Sequence, residues 1–272
     1  MRASLSFPLF LAIALVQGSA GGLQDVTAGR AGWLLASVLG SYAVGDALFL
    51  ASAQLLGVPV ALAIASTYPL WSALAGWAFL GQSVGPTGLA GVGLVVMGVV
   101  TVVRRQRERG EEGGPARRSR GAEAHGSDHA IGVLLASATS VFWALNTFAV
   151  ARGGEGLPVA GVNTVRMGMA VVLLPLVRLV ARGRGTPLLV PASEMRRAWP
   201  VFLLESVGGT ALFVLGLTHS PLAVAAALTS LAPVLSVPFA AVIGRERVGS
   251  RALLGILLVT AGIVLLVGFG RG

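Results

Sequence analysis

Nine mostly apolar stretches, each close to the length that crosses a membrane, dominate this sequence. A helix needs about 20 apolar residues to span a bilayer. The stretches are separated by Gly or Pro turns or by charged segments, and they cover residues 4–20, 31–53, 58–80, 86–103, 131–151, 159–181, 198–218, 221–243 and 251–269. Open sheets leave backbone groups unbonded in lipid, and barrel strands would be about half as long. We therefore predict an all-α polytopic membrane protein with about nine transmembrane helices.

The small number of charged residues excludes most soluble classes of protein. Only 11% of the residues are charged, against about 25% in a soluble domain. All twenty basic residues are arginines, and seven of them lie in one segment, 104–129. This pattern indicates membrane topology rather than a nucleic-acid surface. The absence of cysteine excludes disulfides, thiolate metal sites and cysteine nucleophiles.

The first stretch has two interpretations. Residues 1–20 contain an arginine, an apolar run and small residues at the end, which is also typical of a secretory signal peptide. The internal repeat described below favours a retained helix.

Residues 104–129 are rich in arginine, glutamate, glycine and serine, which predicts a flexible linker. His125, Asp128 and His129 have a spacing that a metal site on a helix would use, but in such a linker we expect them to be solvated. No metal or cofactor is predicted.

A shift of 164 residues superimposes 45–103 on 209–267 without a gap, with 19 identities in 59 positions. The matched prolines and glycines carry most weight, because each marks a backbone requirement. Mid-helix Pro69 and Pro233 are expected to bend their helices, as hinges or cavity walls. The paired glycines favour close helix packing, and they are Gly91, Gly98, Gly255 and Gly262.

The second half has one helix, 131–151, with no counterpart in the first half. The chain is therefore predicted to contain a four-helix repeat in 1–103, the linker 104–129 and a five-helix repeat in 130–272. The first helix of the first repeat is missing, and we expect the native reading frame to encode it upstream. Because five is odd, the two repeats would insert in opposite directions, which is the inverted-repeat plan of many secondary transporters.

Arginine distribution predicts the orientation. The loops assigned to the cytoplasm hold thirteen arginines and the opposite loops two, which places the amino terminus inside and the carboxyl terminus outside. The cytoplasmic loops in this assignment are 104–129, 182–197 and 244–250, and the opposite ones are 21–30, 81–85 and 152–158.

The order of several motifs resembles the EamA type of the drug/metabolite transporter superfamily. The segments that carry the resemblance are Trp143 to Asn146, Arg166, Leu231 to Val234, Gly244 to Arg247 and Gly255 to Gly262. The resemblance implies a ten-helix inner-membrane transporter of small metabolites. It also implies cytoplasmic termini and an external linker, whereas the charge count favours the reverse.

Two carboxylates inside predicted spans are candidates for function, since ionisable residues in a membrane usually mark a pathway. Asp46 and Glu205 lie in equivalent antiparallel helices at about the same depth. Close like charges favour a shared proton, which suits proton-coupled transport. The alternative is two separate carboxyls, each bonded to a neighbouring hydroxyl or backbone group.

A second candidate cluster contains Arg166, Asn163 and Asn146. Asn163 and Arg166 share a helix face, so the cluster could bind an anion or act as a gate. The alternative is that Arg166 extends to the membrane surface. Trp143 and Tyr68 are the aromatic residues best placed for a pore, although core packing also accounts for them.

Three functions are compared. A secondary transporter of small organic metabolites or drugs, with proton coupling left open, explains the repeat and the intramembrane carboxylates. A membrane-embedded enzyme or flippase acting on lipid-linked substrates is the alternative, but the set of catalytic residue types is poor. A structural subunit would gain nothing from carboxylates within the membrane. Expected partners are a small-molecule substrate and the lipid bilayer, with a homodimer left open and nucleic acid excluded.

Overall fold

The computed structural model describes residues 2–18, 20–82, 85–112, 126–180, 199–231, 234 and 250–269, and all regular secondary structure in these ranges is helical. The α-helices are α1 Arg2–Val16, α2 Ala20–Gln24, α3 Ala28–Val38, α4 Asp46–Leu56, α5 Val58–Ala65, α6 Tyr68–Leu80, α7 Pro86–Glu112, α8 Gly126–Gly154, α9 Val159–Val180, α10 Thr210–His219, α11 Leu222–Thr229 and α12 Ser250–Phe269. Two π-helical segments, Leu39–Gly45 and Leu204–Gly209, precede α4 and α10.

Three helical runs in these ranges are long and apolar enough to cross a membrane: Ala28–Leu56, Asp128–Gly154 and Trp199–His219. Shorter apolar helices are found at Ala3–Val16, Pro86–Thr101, Val159–Pro175 and Leu253–Leu265. The prediction of an all-helical membrane protein is therefore confirmed at the level of its class.

Two predicted boundaries are corrected. Helix α7 continues to Glu112 and α8 begins at Gly126, so both ends of the segment predicted as a linker are helical. The predicted span 58–80 is two helices, α5 and α6, separated by a turn at Ser66 and Thr67. Polar and charged residues continue a helix readily when it is already nucleated, which the composition of 104–112 does not reveal.

The chain divides into two compact units. The first contains Met1–Ala43 and Asn146–Ser220, and the second contains Val44–Leu145 and Pro221–Gly272. Each unit takes residues from both halves of the sequence, so the units do not coincide with the predicted repeats.

In the first unit, α1 and α9 pack along each other. Phe10 and Met167 are almost completely buried in their shared core, together with Ala170. Gly168 permits this approach, since a Cβ there would lie 3.0 Å from Cε2 of Phe7.

In the second unit, α7 and α12 are in backbone contact at glycines. A Cβ on Gly98 would lie 2.6 Å from the carbonyl oxygen of Gly255, and a Cβ on Gly262 would lie 2.7 Å from that of Gly91. The lower-numbered glycine of each helix meets the higher-numbered glycine of the other, so α7 and α12 are antiparallel. The shift of 164 residues maps Gly91 onto Gly255 and Gly98 onto Gly262, so each contact is the equivalent of the other. The two helices are therefore related locally by an approximate two-fold axis.

Backbone details recur at other positions related by the same shift. Helix α5 ends before Ser66, whose N–H donates to the Leu62 carbonyl oxygen at 2.8 Å. Helix α11 ends before Ser230, whose N–H donates to the Ala226 carbonyl oxygen at 3.1 Å. The two π-helical segments end at Gly45 and Gly209, which are also equivalent.

Candidate functional site

The first unit contains a buried arginine held by polar side chains from two other helices. Arg166 on α9 is 1% exposed. Its Nε donates to Oγ of Ser37 on α3 at 2.9 Å, and its Nη2 donates to Oδ1 of Asn146 on α8 at 3.1 Å. The hydroxyl of Ser37 donates in turn to the Leu34 carbonyl oxygen at 2.6 Å, which leaves its lone pairs directed to the arginine.

The guanidinium of Arg166 also lies over an aromatic ring. Its Cζ is 5.8 Å from the centroid of Phe213, a distance at which the ring face attracts a cation. The side chain is therefore directed into the helix packing of its unit rather than along α9 towards a membrane surface, which was the alternative considered from the sequence.

Asn163 lies one turn before Arg166 on α9 and is completely buried. Neither its Oδ1 nor its Nδ2 has a hydrogen-bond partner among the described residues. Such burial costs about 1–3 kcal/mol for each unbonded group, so this amide has donors and an acceptor to offer to a water molecule or a polar ligand atom. The structure brings Arg166 and Asn146 together as the sequence suggested, but it leaves Asn163 outside their hydrogen bonds.

The second unit contains a carboxylate next to aromatic rings. Asp46 is half-buried at the start of α4, and its Oδ1 accepts a hydrogen bond from Nε1 of Trp143 on α8 at 3.3 Å. The ring of Phe49, one turn further along α4, lies 5.5 Å from that of Trp143.

Tyr68 joins this cluster from the first residue of α6. Its ring is perpendicular to that of Trp143, with centroids 6.1 Å apart. Its hydroxyl donates to the carbonyl oxygen of Ala226 at 3.0 Å and lies 2.7 Å from Oγ1 of Thr229, in the last turn of α11. Tyr68 thus bonds the turn between α5 and α6 to the equivalent helix end in the other half of the sequence.

The sequence suggested that Pro69 bends a helix, and this prediction is wrong. It is the second residue of α6, where the missing N–H costs no helical hydrogen bond. The helix break lies just before it, at Ser66 and Thr67. Pro233, predicted to play the same part in the second half, lies outside the described residues.

Glu205, which the sequence analysis places inside a span, has an exposed side chain. It lies in the second π-helical segment, and Oγ of Ser206 donates to its Oε2 at 3.4 Å. Glu205 and Asp46 belong to different units, so their predicted pairing stays a prediction.

Four residues of these clusters were not singled out from the sequence: Ser37, Phe49, Phe213 and Thr229. Phe49 and Phe213 did give a signal, because they match under the shift of 164 residues. Ser37 and Thr229 gave none, since hydroxyl residues within helices commonly bond their own backbone. Within the described ranges, no group of three His, Cys, Asp or Glu residues is arranged to hold a metal ion.

Apolar helices of membrane length that contain polar and charged clusters define a multi-pass membrane protein. The chain belongs to the EamA-like transporter family, whose family profile matches residues 1–104 and 130–268. This confirms the resemblance to the drug/metabolite transporter superfamily that the sequence motifs indicated.

The fold is shared with solved structures. One of them, described only as the crystal structure of a protein, has a TM-score of 0.72 and 19% sequence identity, and the match covers 99% of this chain and 87% of that one. No curated protein matches the chain significantly.

Proposed function

We propose that this protein is a secondary transporter that moves small organic metabolites or drugs across the inner (plasma) membrane by alternating access. In this proposal the chain contains two inverted repeats, related by the shift of 164 residues. Membership of the EamA-like transporter family supports transport as the general activity.

The observation that carries the proposal is the pair of helix ends joined by Tyr68. Interrupted apolar helices at corresponding positions of two repeats are the best pointer to a transporter's binding site. Here α5 and α11 end at equivalent residues, and the Tyr68 hydroxyl bonds to Ala226 and Thr229 across that pair. The aromatic and carboxylate side chains of Trp143 and Asp46 adjoin this junction.

The two π-helical segments support a role for Glu205 and for Asp46 in coupling transport to a proton gradient. Segments of this kind are rare and often occur at functional sites. Glu205 lies within one of them and Asp46 directly follows the other. We therefore assign the coupling role to the carboxyls associated with these segments.

A solute screen in cells tests transport itself. Cells that express the protein should accumulate or exclude at least one small organic solute relative to cells that carry an empty vector, and an uncoupler should abolish the difference. Membrane insertion of the protein is checked by detergent extraction and gel filtration. If no solute distinguishes the two cell lines across a broad panel, transport is the wrong function.

A further inference from the structure

Asn163 is a completely buried amide with no hydrogen bond to any described residue. Both its Oδ1 and its Nδ2 are unbonded, within the core of the first unit. Its neighbour Thr164, which is also buried, is satisfied locally, because its Oγ1 donates to the Ala160 carbonyl oxygen at 2.7 Å. An unbonded buried amide costs stability, so packing alone gives no reason for an asparagine at this position.

Arg166 lies one turn further along the same face of α9. The two residues are three positions apart, which places them on one side of the helix. Side chains of an α-helix slope towards its amino terminus, so the long side chain of Arg166 passes over the turn that carries Asn163. The Asn163 Oδ1 is the same kind of acceptor as the Asn146 Oδ1, which accepts from Nη2 of Arg166 at 3.1 Å. The helix geometry therefore places a second amide acceptor beside the arginine.

The two acceptors differ in the helix that carries them. Asn146 is on α8, whose residues before Asn146 belong to the second unit, whereas Asn163 is on α9 with the arginine itself. A displacement of α8 relative to α9 stretches the bond to Asn146 and leaves the spacing of Asn163 and Arg166 unchanged. A buried guanidinium that loses an acceptor and gains no other is strongly destabilised. An acceptor on its own helix removes that penalty.

We propose that Asn163 is the alternative acceptor of the Arg166 guanidinium. In the transport cycle the arginine exchanges Asn146 for Asn163 when α8 and α9 move relative to each other. Asn163 is thus a positioning residue, and it is unbonded in this conformation because the guanidinium is bonded to Asn146. The link to transport rests on the proposed function, whereas the exchange of acceptors does not.

Thermal unfolding of the purified full chain in detergent tests the exchange without transport. Asn163→Leu keeps the branching and the number of side-chain atoms but removes the unbonded polar groups. It should raise the unfolding midpoint by about 2–4 °C in the wild-type background. In the Asn146→Leu background the guanidinium should bond to Asn163, so there the same substitution should lower the midpoint. Such a change of sign in a double-mutant cycle identifies the two amides as alternatives.

Uptake by proteoliposomes, with a solute identified by the cellular screen, tests whether transport uses the exchange. Asn163→Leu should reduce the initial rate about tenfold although it is the more stable protein, because Arg166 has lost its second acceptor. Thr164→Val is the matched control, since it removes a buried hydroxyl that bonds only within its own helix. This control should transport at the wild-type rate.

Three results overturn the proposal: a lower midpoint for Asn163→Leu in the wild-type background, a shift of the same sign in both backgrounds, or wild-type uptake by folded Asn163→Leu. The first is expected if Asn163 holds an internal water molecule, because leucine removes those bonds as well. Asn146→Ala serves as the background if Asn146→Leu does not fold. A wild-type protein that transports no solute removes the proposed function, and the unfolding midpoints then decide the exchange alone.

Discussion

The guanidinium of Arg166 donates from Nη2 to Oδ1 of Asn146 at 3.1 Å, across two helices of the first unit. A second bond runs from Nε to Oγ of Ser37. Hydrogen bonds to charged groups contribute about 1.5–3 kcal/mol each. This one side chain therefore fixes α3, α8 and α9 relative to one another, because the planar guanidinium offers its donors in set directions.

We predict that Arg166→Lys lowers stability although it keeps the charge. A lysine ammonium cannot reach Ser37 and Asn146 with the geometry of the guanidinium, so about 2 kcal/mol should be lost. The measurement is the midpoint of thermal unfolding in detergent. Arg152→Gln is the control, because its ion pair with Glu155 is exposed and such pairs contribute little. Equal midpoints for Arg166→Lys and the wild type would contradict the prediction.

The glycine contacts between α7 and α12 allow a comparison of two substitutions in one helix. Gly98→Ala should destabilise the fold by roughly 1–3 kcal/mol, because its Cβ would lie 2.6 Å from the Gly255 carbonyl oxygen. Gly93→Ala, also on α7, meets nothing within 4 Å, so it should be neutral or slightly stabilising. Unfolding in detergent measures both, and a Gly98→Ala variant as stable as Gly93→Ala would show that the close contact at Gly98 does not limit the packing of α7 against α12.

The Tyr68 junction should show coupling between two hydroxyls. The Ala226 carbonyl oxygen accepts from both Tyr68 and Thr229, so either hydroxyl can partly replace the other. Tyr68→Phe and Thr229→Val should each cost little stability, and the double variant should exceed their sum by about 0.5–1 kcal/mol. A double-mutant cycle of thermal unfolding gives this value. Strict additivity would show that the two hydroxyls act independently.

The orientation predicted from the arginines can be tested without background labelling, because the chain has no cysteine. Glu155→Cys should react with an impermeant maleimide in intact cells. Ser119→Cys, in the arginine-rich segment, should react only after permeabilisation. The opposite pattern would establish the orientation that the family resemblance implies.

The features of the fold that the sequence predicted are those set by hydrophobicity and by matched residues in the internal repeat. Apolar length identified the helical membrane class, and the matched glycines marked the surfaces where α7 and α12 meet. The sequence also placed Asn146 and Arg166 in one cluster, and the structure joins the two side chains by a hydrogen bond.

The remaining features depend on local geometry that a linear pattern does not carry. The break before Pro69 was predicted as a bend, since a proline in an apolar run fits both a kink and the first turn of a new helix. The π-helical segments have no sequence signature of their own. Exposure of Glu205 is set by the packing of neighbouring helices, which helix depth alone does not give.

Coupling to a proton gradient yields the last prediction. Glu205→Gln keeps the shape of the side chain and can still accept a hydrogen bond from Ser206, so folding and membrane insertion should be unchanged. The variant cannot release a proton, so gradient-driven uptake should be lost while passive exchange of solute persists. Proteoliposomes with and without an imposed pH gradient separate the two activities, and Glu155→Gln is the matched carboxylate control. Asp46→Asn should behave like Glu205→Gln or shift the pH optimum of uptake. If Glu205→Gln transports at the wild-type rate with the same pH dependence, this carboxyl does not couple transport, and its place in the π-helical segment is structural.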